Sequence, residues 1–390
     1  MQHASLRAML VFGTLLAMLF AAGASVPTPL YPLYQQAYAL APMDVTLIFA
    51  VYVAFLLGSL LVVGRLSSHL GRKPVIAGAL VLNLLAVACF LHADSYGGLL
   101  LARSIQGLAM GIAVPTCGAA IVDADNDKGP VLNSYVPFIG MSLGALCTGM
   151  LVSWAPMPML LPYLLIGVLT ALALVVLAFM PETHGRRPGA WRSLVPDLGV
   201  PPQARAAFVR LMPPVMAGWA LGGLYMSLMP GVLREVLDTD SQMVTGIIVC
   251  VLMGSAAVAV YVGRQRPALR MMMIGAILQL IGIPVTLVGM ELGLAAPLFF
   301  GTIISGAGQG LIFSSILRLL LPLAAVHERA GMLSVFFAVS YCAFALPAVL
   351  AGVAVQYLGL LQVAVVYGLV VMGGLMASIM GLRGACSQRC

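Results

Sequence analysis

The chain has 390 residues, of which 62% are hydrophobic and 8% charged, and its mean hydropathy is +1.08. Soluble domains carry about 25% charged residues because their surfaces face water, so a soluble enzyme, a nucleic-acid binder and a disordered scaffold are excluded. A bilayer-crossing helix needs about 20 apolar residues, and spans with short loops at roughly 32 residues each fill the chain with twelve.

Apolar runs bounded by charge, Pro or Gly fall at 8–28, 45–63, 74–92, 98–121, 131–153, 159–180, 212–233, 242–262, 270–289, 294–317, 330–356 and 360–382. They are continuous, without the period-two alternation of outer-membrane strands, and predict helices. With the N-terminus inside, the cytoplasmic segments hold all of the 19 Lys and Arg residues except Arg103, inside the fourth span, and Arg234, on the other face. This bias predicts an integral protein of the cell (inner) membrane with both termini cytoplasmic. It also accounts for the net charge of +7 as an insertion signal, with the lipid bilayer as the partner and no nucleic acid.

The first span has a rival reading. Arg7, the apolar stretch and Ala22-Gly23-Ala24 resemble a cleavable signal peptide, but removing it would break the symmetry of the two halves. The seven cysteines form no disulfide framework. Cys89, Cys117, Cys147, Cys250 and Cys342 fall within spans as small apolar fillers, and Cys386 and Cys390 lie on a reducing tail. No metal or cofactor is expected.

The polar stretch from Pro181 to Arg210 divides the chain evenly. The expected organisation is a six-helix bundle at 1–180, a cytoplasmic linker at 181–211 and a second six-helix bundle at 212–390. The halves match at an offset near 200: Pro29 with Pro230, Gly64-Arg65 with Gly263-Arg264, Gly107 with Gly308 and Gly149 with Gly352. The fold class is therefore an all-α membrane protein of twelve transmembrane helices in two pseudo-symmetric bundles, an architecture with a midplane site.

Five segments carry a family resemblance. The loop after span two reads Gly64-Arg65-Leu66-Ser67-Ser68-His69-Leu70-Gly71-Arg72-Lys73, which resembles the G-x-L-x-D-R-x-G-R-K/R signature of the major facilitator superfamily of secondary transporters. Gly64 and Gly71 permit a tight turn, and Arg72 and Lys73 hold the loop inside. The family's aspartate is Ser68 here and its arginine is His69. The resemblance implies a gating charge network, with Arg72–Asp123 as the surviving pair. Span four contains Arg103-Ser104-Ile105-Gln106-Gly107, similar to the family's R-x-x-Q-G. Span five contains Gly140, Gly144 and Gly149, similar to a motif of proton-coupled exporters with Ala145 in place of its proline and Thr148 in place of one glycine. Small residues at this spacing also serve plain helix packing. The Pro181-Glu182-Thr183 end of span six and the Arg329-Ala330-Gly331 start of span eleven look familial too.

Arg103 is the one charge well inside a span, which marks it as a candidate for function; snorkelling or bonding to helix carbonyls is the plainer alternative. Gln106, one turn further in, belongs to the same polar cluster or to a simple interhelical bond. Every carboxylate lies in a loop or at a helix end, which disfavours cationic substrates and favours anionic, zwitterionic or neutral ones. Asp44 at the start of span two is the best coupling candidate, with an N-cap as its ordinary role. In the family the first and fourth helices of each half line the cavity, which implies Tyr31, Tyr34, Trp219, Tyr225 and Gln309 as lining residues; the tyrosines read equally as an interfacial belt. The Pro27-Thr28-Pro29 and Met229-Pro230 segments should interrupt spans one and seven. Gly306-Ala307-Gly308-Gln309-Gly310 lacks the strand-turn-helix context of a nucleotide loop and reads as helix packing.

These features together predict a monomeric secondary transporter working by alternating access, most simply a proton-coupled exporter of small metabolites or amphipathic compounds and not an enzyme. The alternative is a proton-coupled importer or facilitator of an organic acid or sugar, and a remote one is a non-transporting receptor on the same fold.

Overall fold

The computed structural model describes residues 2–196, 198–325 and 328–387. Asp197, Arg389 and Cys390, and the side chains of Arg383 and Cys386, lie outside the described residues. Among the described residues twelve helices are long and apolar enough to cross a membrane, and there is no strand. The chain divides into two compact units, Met1–Pro196 and Asp197–Cys390.

The first unit comprises α1 (Gln2–Ser25), α2 (Pro27–Tyr38), α3 (Pro42–Val63), α4 (Ser67–Leu70), α5 (Arg72–Leu91), α6 (Tyr96–Ala124), α7 (Gly129–Trp154) and α8 (Leu161–Phe179). The second comprises α9 (Pro202–Ser227), α10 (Met229–Leu237), α11 (Gln242–Gly263), α12 (Ala268–Glu291), α13 (Ala295–Leu320), α14 (Arg329–Leu358) and α15 (Leu360–Ser387). Two expected boundaries move. The first span runs to Tyr38, ten residues beyond the expected 28, because Pro27 takes the first position of a new helical turn, where its missing N–H costs nothing. The seventh begins at Pro202, inside the expected linker. Ala204, Phe208 and Leu211 are buried at helical spacing while Arg205, Val209 and Arg210 face outward, so this polar stretch is amphipathic and helical.

The breaks in spans one and seven are equivalent. α1 passes into α2 at Val26, and α9 into α10 at Leu228. Both short helices then end on a non-glycine residue in the left-handed region, Ala39 at φ 51° and Asp238 at φ 47°. Lipid-facing sides are apolar, as in the α8 stripe Leu165, Val168, Leu172 and Val175.

With lipid as apolar as leucine, helices associate through close packing at small residues. In the first unit a Cβ on Gly107 or Gly111 of α6 would meet the carbonyl oxygens of Tyr52 or Leu56 on α3. In the second, Gly306 and Gly310 of α13 stand in the same way against Leu252 and Ala256 of α11. The environment therefore pairs Gly107 with Gly306, and not with the expected Gly308, whose Cα instead faces α12 at Gly275 and Gln279. Gly140 and Gly144 seat α7 on the α1 backbone at Met18 and Ala22, and Gly149 is buried on the same helix.

Candidate functional site

The intramembrane arginine is held by a defect in α1. An α-helical carbonyl accepts from the N–H four residues on, but the residue four after Gly23 is Pro27, which has none. Gly23 O is thus left free, and Gln106 Nε2 of α6 donates to it at 2.9 Å. That bond orients the carboxamide so that its Oε1 accepts from Arg103 Nη1 at 2.7 Å. Arg103 Nη1 also reaches Ala24 O at 3.5 Å, and Nη2 donates to Tyr31 Oη on α2 at 3.0 Å. The Tyr52 ring of α3 lies 4.4 Å below the guanidinium carbon.

Arg103 is only 1% exposed, which argues against snorkelling, and its contact with Ala24 O is the helix-carbonyl bond of the plainer alternative. Its Nε has no partner, and it makes no ion pair among the described residues, whose salt bridges involve other basic groups. Every group touching it is neutral. An uncompensated charge at a helix centre costs about 2.5–3.5 kcal/mol, and the neutral dipoles and the aromatic face offset only part of it. The arrangement is a positively charged, partly satisfied fork with one unpartnered nitrogen, Nε.

Tyr31, Tyr34 and Tyr225 are all buried. Tyr31 joins Arg103. Tyr34 turns away from it and donates to Tyr163 Oη at 2.9 Å, with Tyr163 stacked on Phe90 at 4.2 Å between ring centroids. Tyr225 shares a 2.7 Å hydrogen bond with Thr302 Oγ1 inside the second unit. Asp44 is the third residue of α3 and not its N-cap; its Oδ2 reaches back to accept from Ala41 N at 2.8 Å, as in the N3 half of a capping box.

In the second unit Trp219 of α9 stands in an aromatic cluster, edge-on to Tyr341 at 4.9 Å, Phe344 at 5.4 Å and Phe313 at 6.0 Å. Gln309 of α13 is buried beside it, near Gly222 and the Phe344 ring edge.

At the loop that follows α3 in the first unit, Arg72 Nε donates to Asp123 Oδ2 at 2.9 Å. The departure from the family signature has a local solution: Ser67 Oγ and Ser68 Oγ accept from Arg72 Nη1 at 2.8 and 3.3 Å. Glu182, past the end of α8, accepts the backbone N–H groups of Arg72 (2.7 Å) and Lys73 (3.1 Å), capping α5 where Gly71 turns at φ 95°. Lys73 Nζ bonds Ala178 O at 3.1 Å, and Gly64 lies close against Leu60 O. In the second unit the loop after α11 is held differently, by Arg318 donating to Gly263 O and Arg266 O at 3.4 and 2.6 Å. Arg72→Gln and Asp123→Asn are expected to lose less together than the sum of the singles, with a coupling of about 1 kcal/mol in a double-mutant cycle on thermal stability; additive losses would refute the pair.

Sequence reasoning missed Tyr52 and Glu182. Glu182 had a signal in the Pro181-Glu182-Thr183 ending, and Tyr52 had none beyond being a tyrosine in a span.

A family model described as Major Facilitator Superfamily matches residues 13–290. Over 82 residues the chain is 32% identical to the inner membrane transport protein YnfM of Escherichia coli (strain K12), a match covering 21% of this chain and 20% of that protein. Among solved structures, a POT family transporter in complex with 5-aminolevulinic acid aligns with TM-score 0.75 at 15% identity, covering 96% of this chain and 95% of that one. The human organic anion transporter MFSD10 (TETRAN) aligns with TM-score 0.73 at 15% identity, covering 96% and 99%. At these identities the likeness is one of fold.

Proposed function

The chain belongs to the Major Facilitator Superfamily, and from this premise we propose that it carries a small solute bearing a carboxylate or similar anionic group, with the Arg103 fork as its receptor. The observation that carries the reading is the buried guanidinium whose contacts are all neutral. An arriving anion supplies the missing countercharge, and charge-assisted hydrogen bonds to a fork are among the stronger ones. The two similar solved structures support this class, since one holds 5-aminolevulinic acid and the other is an organic anion transporter. A cationic substrate would meet repulsion.

In this proposal the protein is a monomer of the inner membrane with cytoplasmic termini. It works by alternating access and exports its solute in exchange for protons, as in the drug and metabolite antiporter branch whose span-five motif it partly shares. Asp44, half-buried at the start of α3, is the coupling candidate. Asp44→Asn keeps a hydrogen-bond acceptor for Ala41 N, so folding is expected to persist while pH-gradient drive is lost and solute exchange remains. Unchanged proton drive in proteoliposomes would confine Asp44 to its cap.

The test of the whole reading compares small organic acids inside and outside cells that lack or overproduce the protein. Acids retained in the lacking strain mean export. Slower depletion from the medium in that strain reverses the direction, and no difference for any anion removes the anion reading.

A further inference from the structure

Gln279 lies midway along α12 and is completely buried, yet neither end of its carboxamide has a hydrogen-bond partner. Gln309 Oε1 and Ser305 Oγ, both on α13, are buried and unpartnered as well. Buried polar groups in native proteins are nearly always matched, and the bilayer core offers no water from outside. In the first unit the corresponding mid-helix amide, Asn83 of α5, is closed by Thr170 Oγ1 at 2.9 Å. Gln279 has no such neighbour.

Two of these side chains, Gln279 and Gln309, meet against α9. A Cβ on Gly218 of α9 would lie 3.6 Å from Gln279 Nε2 and 3.5 Å from Gln309 Cγ. One turn on, a Cβ on Gly222 would lie 3.2 Å from Gln309 Nε2 and 3.3 Å from the Phe344 ring. The carboxamides thus converge on a face of α9 that carries no side chain, with Trp219 and Phe344 beside it. Ser305 lies a turn along the same α12–α13 seam, against Gly282.

The donor and acceptor inventory selects the occupant. A metal cation would satisfy the oxygens and leave Gln279 Nε2 alone; an anion would take Nε2 and be repelled by the oxygens. An uncharged group with both a donor and an acceptor matches all of them. Exchanging the two ends of the Gln279 amide changes nothing, because neither is partnered. The aromatic neighbours suit a flat, apolar skeleton.

We propose that Gln279 and Gln309, packed against the side-chain-free positions Gly218 and Gly222, with Ser305 a turn along the seam, form a binding subsite for a hydroxyl, primary amide or undissociated carboxyl group borne on an aromatic or apolar skeleton, which enters by displacing the carboxamides from α9. The proposal rests on the transporter reading only in taking the occupant to be a transported solute, and it is independent of Arg103.

The chain has three tryptophans, and Trp154 and Trp191 are exposed, so Trp154→Phe with Trp191→Phe leaves Trp219 as a local reporter in the full-length protein in lipid nanodiscs. Benzamide and phenol are expected to quench it saturably, and toluene, which cannot hydrogen-bond, about tenfold more weakly. Gln279→Leu should weaken benzamide about tenfold while keeping or raising the thermal midpoint, since an apolar group replaces an unmatched polar one. Gly218→Ala, whose new Cβ sits in ordinary contact with both carboxamides, should weaken it too and carries the test if the leucine variant does not fold. No saturable quenching, equal affinity for toluene, or affinity indifferent to both substitutions overturns the subsite. Benzamide affinity should survive Arg103→Ala. Normal anion transport by that variant with benzamide binding still dependent on Gln279 would sink the anion reading and leave the subsite standing.

Discussion

Arg103→Ala is expected to lower transport at least about 100-fold while leaving the amount of protein in the membrane unchanged. Each charge-assisted hydrogen bond from the fork to an anion contributes about 1.5–3 kcal/mol, so losing two removes two or more decades at about 1.4 kcal/mol per decade. Folding should not suffer in proportion. The alanine removes a buried charge with only neutral neighbours and with an unpartnered Nε; what it strands is one tyrosine hydroxyl and one carboxamide oxygen. Arg103→Lys keeps the charge but not the planar two-pronged donor geometry, and is expected to recover only a minor part of the activity. Gln106→Leu should act in the same direction and more weakly, because Gln106 holds the Arg103 guanidinium from one side. Initial rates in proteoliposomes at matched protein content decide the matter. Equal rates for wild type and Arg103→Ala would reduce Arg103 to a structural role.

Gly144→Val carries the second large effect, and it falls on folding. A Cβ at this position would collide with Ala22 O, the Ala22 Cα and Ser25 Oγ of α1, all backbone or hydrogen-bonded atoms that cannot step aside. The helices must separate, which also breaks the 2.9 Å bond from Ser25 Oγ to Met141 O that joins α1 and α7. Overpacking of this kind costs typically 1–3 kcal/mol, and the lost interhelical bond adds about 0.6–2 kcal/mol in a membrane. The expected result is a large fall in the thermal midpoint in detergent and in membrane abundance. Gly58→Ala and Gly78→Ala, where a Cβ meets nothing within 4 Å, are the matched controls and should be neutral. A stable Gly144→Val protein that fails only in transport would instead assign the span-five glycines to the transport cycle.

Much of this architecture was legible in the chain as written. Twelve apolar runs follow from what a bilayer demands of every segment separately: backbone groups paired internally and apolar side chains outward. The Arg72–Asp123 pair was legible because both residues sit at helix ends next to a recognisable loop, where few partners compete. Arg103 and Gln106 were legible as polar residues one turn apart in an apolar helix, and the breaks in spans one and seven from their prolines.

Other features needed the folded chain. The start of α9 at Pro202 was hidden because a polar, proline-rich stretch reads as a linker until Ala204, Phe208 and Leu211 are seen to share a buried face. The neutral surroundings of Arg103 depend on Tyr31 and Tyr52, which come from helices far away in sequence, and nothing in a hydrophobic run tells which of its faces turns inward when lipid and protein interior are equally apolar. Gln279 is the clearest instance. In the sequence it is one amide in an apolar span, and only the approach of α13 and the bare face of α9 bring it beside Gln309 with its hydrogen bonds unmade. Segment hydropathy and charge act locally and can be added up residue by residue. The pairing of a buried polar group is a property of interhelical distance, which the glycine seats set once the helices have come together.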